Sequence, residues 1–119
     1  MTVTLSVKHM PAQVGGGPVF VAGRLWLDAA GAQLFEWKDE RSIPLSDPEA
    51  CAAVRAAVPP LGEYLGGALV QAWVRDGPGG PELHGIYWVT LGDLENEPAS
   101  RWGPRVRVRP VPPEYDYAR

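Results

Sequence analysis

A chain of 119 residues has the usual size of one domain and can bury a core without metals, while its single cysteine, Cys51, excludes an intrachain disulfide. No stretch approaches the roughly 20 apolar residues that span a bilayer, and Met1 to Lys8 has no charged leader followed by an apolar run, so a soluble cytoplasmic protein is expected. The formal charge of −3 is unevenly spread: residues 1–100 hold six Lys or Arg against twelve Asp or Glu, and residues 101–119 hold five against two, which disfavours sequence-blind attachment of the acidic body to nucleic acid.

Fourteen glycines and thirteen prolines punctuate the chain often enough to suit many short strands better than long helices. Val3, Leu5 and Val7 alternate with polar residues and predict a half-buried strand. Met10 to Pro18 predicts a loop, because Gly15-Gly16-Gly17 lacks the Gly-Lys-Ser/Thr ending of a phosphate-binding loop. A hairpin follows, with strands Val19 to Leu27 and Gln33 to Lys38 joined by the turn Asp28-Ala29-Ala30-Gly31. With Leu27 opposite Ala32, Leu25 faces Leu34, Arg24 faces Phe35, Trp26 faces Gln33 and Ala22 faces Trp37.

Arg41 to Leu45 predicts a third strand, placed at an edge or bulge by Pro44. Asp47-Pro48-Glu49 is the start of a helix: an N-cap, a proline at the first helical position and an acid at the positive end of the dipole. Ala50, Cys51, Val54, Ala57 and Val58 form its apolar stripe, Pro59-Pro60 stops it, and Leu61 to Gly67 predicts one further turn closed by glycine. A second hairpin pairs Val70 to Arg75 with Leu83 to Leu91 across Asp76 to Pro81, with Tyr87, Val89 and Leu91 on one side and His84, Ile86 and Trp88 on the other. Gly92 to Ser100 is an acidic linker, Arg105, Arg107 and Arg109 alternate as a comb on one face of an extended segment, and Pro110 to Tyr117 predicts an extended, poorly ordered tail.

The order of three strands, a helix and two strands over about Pro18 to Leu91 resembles the OB-fold, a small Greek-key barrel with its helix between the third and fourth strands. Gly23 in the middle of a curving first strand, the helix from Pro48 to Val58 and the Gly/Pro-rich last hairpin loop carry the resemblance, which is one of topology without a signature motif. It implies a mainly β domain over residues 1–100 and a basic, proline-rich extension over 101–119. The extra N-terminal strand and the arginine-rich tail depart from the minimal pattern and leave an SH3-like barrel or a β-sandwich open.

Parity puts Phe20, Arg24, Trp26, Phe35, Trp37, Trp73, Arg75 and Trp88 on the non-aliphatic side of their strands. OB-folds bind oligonucleotides or oligosaccharides on such a face, and aromatic rings with arginines supply base stacking and phosphate contacts. With Arg105, Arg107 and Arg109, these residues are the expected contacts to single-stranded nucleic acid. The same residue types anchor protein interfaces, so a protein partner is the alternative, and exposed barrel edges would also permit a homodimer. A register shift of one residue would instead bury the rings as core.

Signals for catalysis are absent from the motif level. His9 and His84 lack the spacing of a zinc site, Cys51 lies within an Ala/Val stripe, and Asp39-Glu40 with Asp93, Glu95 and Glu97 have the character of solvated turns. A non-enzymatic module without metal or cofactor is the expectation.

Overall fold

The computed structural model describes residues 4–37, 39–58, 64–92 and 102–115, with the side chains of residues 102, 104 and 115 excepted. Among the described residues the strands are β1 (Thr4–Ser6), β2 (Val19–Asp28), β3 (Gly31–Phe35), β4 (Ser42–Pro44), β5 (Tyr64–Gly77), β6 (Gly80–Gly92) and β7 (Trp102–Arg107). They form one sheet in the order β4-β3-β2-β5-β6-β7, antiparallel except that β1 lies parallel to β2. Among the described residues no helix is long and apolar enough to cross a membrane.

β2 is the central strand because it uses both edges fully. One edge pairs with β5 from Val19 to Leu27; the other pairs with β3 from Arg24 to Asp28 and with β1 from Phe20 to Ala22. The predicted hairpin register holds at Leu25–Leu34, Arg24–Phe35 and Trp26–Gln33. The expected pairing of Ala22 with Trp37 is not made, since β3 ends at Phe35 and Ser6 occupies Ala22's edge. Glu36 then opens a turn closed by its backbone N–H to Arg41 O at 2.8 Å; Lys38 lies outside the described residues.

One face of the sheet packs the main core. Val21, Leu25, Leu34, Val70, Leu83 and Val89 are fully buried there, and the helix α1 (Pro48–Ala57) covers it with Ala50, Cys51 and Val54. Asp47 caps α1 as predicted, accepting from Ala50 N at 3.2 Å with Pro48 at the first position. Ala57 is exposed, however, and leaves the expected stripe. A 3-10 helix (Val7–Gln13) takes Val7 from the predicted first strand and the start of the predicted loop, which persists over residues 14–18, because Val7 and Met10, three apart and therefore on one side of such a helix, both reach the core. The end of β4 meets β6 through one parallel bridge, Leu45 to Leu83, with Ser46 N donating to Leu83 O at 2.8 Å.

Two expectations fail around the last hairpin. Tyr64 to Gly67 is strand instead of a helical turn; residues 61–63 lie outside the described set. The alternation predicted for β6 breaks between His84 and Trp88, where residues 85–87 stand against Ala72 alone. Gly85 takes φ +55 at this bulge, a conformation that glycine adopts freely. The inserted residues turn Ile86 into the core and Tyr87 away from it, the reverse of strict parity. Beyond residue 101, the expected extension contributes β7, paired to β6 through Val89–Val106 and Thr90–Arg105.

Candidate functional site

The outer face of the sheet divides into an exposed patch and a sealed one. Trp26 on β2 has Leu65 of β5 on one side and Gln33 of β3 on the other, all pointing outward because partners in register share a face. Trp26 is 52% exposed and Leu65 is 59% exposed, two of the few large apolar side chains left in solvent. One row further, Arg24 faces Phe35, whose half-buried ring lies 6.3 Å from the Trp26 ring at a 37° tilt. The Arg24 guanidinium stands 5.9 Å from the Phe35 centroid, a cation-π distance. It is held there by donating to Glu36 O at 3.0 and 3.3 Å and to Asp39 O at 3.3 Å.

A groove runs beside the indole, lined by Trp26, Asp28, Gly31, Gln33 and Phe35. Its end wall is the hairpin turn. Asp28 Oδ1 accepts from Ala30 N at 2.8 Å and Gly31 N at 3.2 Å, and Arg55 of α1 donates to Asp28 O at 2.6 Å. The turn is therefore fixed from both its own side chain and the helix.

The sealed patch takes other residues of the predicted face. Phe20 and Trp88 pack with ring centroids 5.5 Å apart and planes tilted by 47° and, with Tyr87, form a second buried cluster roofed by Leu69, Trp73 and Val111. Trp88 is only 2% exposed and Arg105 lies 4.3 Å over its ring, so the Trp88 indole offers no free face. Trp73 is half-buried and donates from Nε1 to Tyr87 Oη at 2.9 Å. Arg75 pairs with Glu82 at 3.1 Å and lines a neighbouring cleft with Ala29, Ala30 and Gly31 without lining the groove beside Trp26. Trp37, half-buried and past the end of β3, donates its backbone N–H to Glu36 Oε1 at 3.1 Å, while Glu36 Oε2 accepts from Lys8 N at 3.0 Å.

The predicted arginine comb is broken. Arg105 and Arg107 lie on the outer face in register with Thr90 and Trp88, and both are exposed. Arg109 lies beyond the end of β7 and turns to α1, where Nη1 reaches Asp47 Oδ2 at 2.6 Å and Nη2 reaches Oδ1 at 3.2 Å. Arg101 lies outside the described residues, as do Asp93, Glu95 and Glu97. Sequence reasoning missed Leu65, because Gly66-Gly67 has the character of a helix stop, and treated Asp28 as a turn residue only. The alternation of Leu65, Gly67, Leu69 and Gln71 along one face was the available signal.

The titratable side chains away from this face are structural in their surroundings. Burial, then the charge of Arg75, holds His84 below the ordinary histidine value. Burial also pushes the Cys51 thiol up, and its Sγ lies 3.8 Å from Leu45 O. Thiolate is the reactive form, so Cys51 is expected to resist an aromatic disulfide reagent at neutral pH in the folded protein and to titrate as one thiol once denaturant is added. Comparison with protein-family models, with curated proteins and with solved structures gives no match, and the geometry alone carries the functional reading.

Proposed function

We propose that this chain is a non-enzymatic binding module on an OB-like Greek-key barrel, and that its outer face takes single-stranded nucleic acid by stacking bases on Trp26. Support for the barrel comes from strand order. With β1 and β7 set aside, the strands run β4-β3-β2-β5-β6, α1 falls between the third and fourth of them in sequence, and the parallel Leu45–Leu83 bridge joins the two ends. In that plan the ligand lies on the second and third strands between the first and last hairpin turns, which here are β3, β4, Asp28 to Gly31 and the β5–β6 turn, and Trp26 on β2 borders that face across from Gln33.

One observation carries the reading: an indole half in solvent, backed by Phe35 and Arg24, at the lip of a groove. A base needs only such a flat, partly desolvated ring, and stacking is worth about 1 to 3 kcal/mol per base. Arg105 lies on the row Ala22–Leu69–Thr90, three strand spacings or about 14 Å across the sheet from β2 and four residues or about 13 Å along it from Trp26, a span that a bound strand of several nucleotides covers. Phosphate contact by Arg105 and Arg107 alone gives a salt slope of about −1.4, at about −0.7 per contact.

Titration with single-stranded oligonucleotide is expected to quench tryptophan emission. Trp26→Ala should weaken binding by about ten-fold or more, while costing about 1 kcal/mol of stability or less, since half of the ring is already in water. Unchanged emission at tens of micromolar oligonucleotide and low salt removes the proposal. A protein partner on the same face is the second reading, favoured by Leu65: an aliphatic side chain beside Trp26 has no π-face for a base but suits the apolar centre of a protein interface. Capture of a stoichiometric protein from nuclease-treated lysate, lost in Leu65→Asp, would select it.

A further inference from the structure

We infer that the groove beside Trp26 selects guanine, an inference that rests on the nucleic-acid reading above and goes beyond it to the identity of the base. The geometry is directional. Phe35 backs the indole on the Arg24 row, so the other side of Trp26 opens over the row formed by Asp28 and Gly31. A Cβ built on Gly31 meets nothing within 4 Å, which leaves the floor of the groove open to a planar ring. Gln33 stands directly across from Trp26 and is exposed.

A base stacked on that side meets two kinds of polar group at its edge. Asp28 is the acceptor: its Oδ1 is engaged by the turn, and among the described residues Oδ2 makes no hydrogen bond. Gln33 is the second, with both a donor and an acceptor on its amide. The Watson–Crick edge of guanine presents two adjacent donors, N1–H and the N2 amine, followed by the O6 acceptor. Asp28 Oδ2, left free by the turn, has two lone pairs and accepts from both donors, and an amide N–H of Gln33 reaches O6. Every other base places a lone pair next to its donor: N1 beside the N6 amine of adenine, N3 beside the N4 amine of cytosine, and carbonyls on both sides of N3–H in thymine or uracil. Each would set a lone pair against the Asp28 carboxylate. The same negative charge repels phosphate, which orients the backbone toward Arg24 and away from the turn.

The test uses the full chain and oligothymidylates of about a dozen nucleotides carrying separated guanines, adenines or hypoxanthines at the same positions, in lithium buffer so that guanines do not associate. Guanine strands are expected to bind about ten-fold tighter than adenine strands, at the low end of the discrimination a base-edge contact provides. Hypoxanthine, which lacks the N2 amine, should lose most of that advantage. Asp28→Asn keeps an oxygen to cap the turn and should bring the guanine-to-adenine ratio toward one, with circular dichroism verifying the fold. Equal affinity for guanine and adenine strands, or a ratio untouched by Asp28→Asn, overturns the inference and leaves base stacking standing. No binding by any strand overturns both this inference and the reading on which it rests.

Discussion

Asp47→Ala is expected to lower unfolding free energy by about 2 to 4 kcal/mol, from a lost helix cap at about 1 kcal/mol and a buried Ile86 N–H left without an acceptor at about 1 to 3 kcal/mol. The Asp47 side chain is 5% exposed and serves three parts of the chain at once. It caps α1 at Ala50 N, accepts from Ile86 N at 2.9 Å, and pairs with Arg109 through both oxygens. Each bond replaces one that the fold removed. Ile86 sits in the bulge of β6, where the extra residues leave the ladder, and Asp47 gives its N–H an acceptor. Arg109 also donates to Ile86 O at 2.6 Å, while Val108 and Arg109 donate their backbone N–H groups to Tyr87 O. Alanine would therefore leave a partly buried guanidinium without its main counterion and uncap the helix.

Acid should mimic the mutation. Burial alone would raise the Asp47 pKa, but hydrogen bonds from Arg109, Ile86 N and Ala50 N, together with the arginine charge, lower it below the ordinary 3.8. A carboxyl whose folded pKa is depressed contributes stability above its unfolded pKa and loses it as pH falls through the folded one. The difference in denaturant midpoint between wild type and Asp47→Asn is thus expected to be constant near neutrality and to shrink below pH 3.8. A gap that persisted at lower pH would mean that the charge of Asp47 is not what the pair uses.

The same aspartate marks how far the sequence could be read. Its capping role is local: Asp-Pro-Glu before an apolar stripe is enough to place it. Its pairing with Arg109, 62 positions away, depends on where β7 stops, and an Arg-x-Arg-x-Arg pattern gives no sign that the last arginine leaves the strand. The first hairpin was legible because a short turn fixes register, so Trp26, Phe35 and Arg24 came together as expected. Phe20 and Trp88 share that outward parity, but parity decides only the side of the sheet. Whether that side is wet depends on Leu69, Trp73 and Val111 closing over it, a tertiary event.

Gly23→Ala is expected to cost about 3 kcal/mol, at the upper end for overpacking, because the obstacle is backbone. A Cβ there would clash with Phe35 O and meet the Leu34 side chain at 3.1 Å. Gly23 lies where the edge of β2 passes from β3 to β1, and the absent side chain lets β3 leave the sheet close against β2. Relief of the clash would move Phe35, and with it the ring that backs Trp26 and the Glu36 carbonyl that holds Arg24. The variant should therefore shift tryptophan emission in the folded state as well as the denaturant midpoint. Gly17→Ala, whose added carbon meets nothing within 4 Å, should stay within about 0.5 kcal/mol of wild type with unchanged emission. If Gly23→Ala lost stability without altering the Trp26 environment, the strand crossing at Gly23 and the aromatic patch would be independent, and the patch would owe its geometry to the hairpin turn alone.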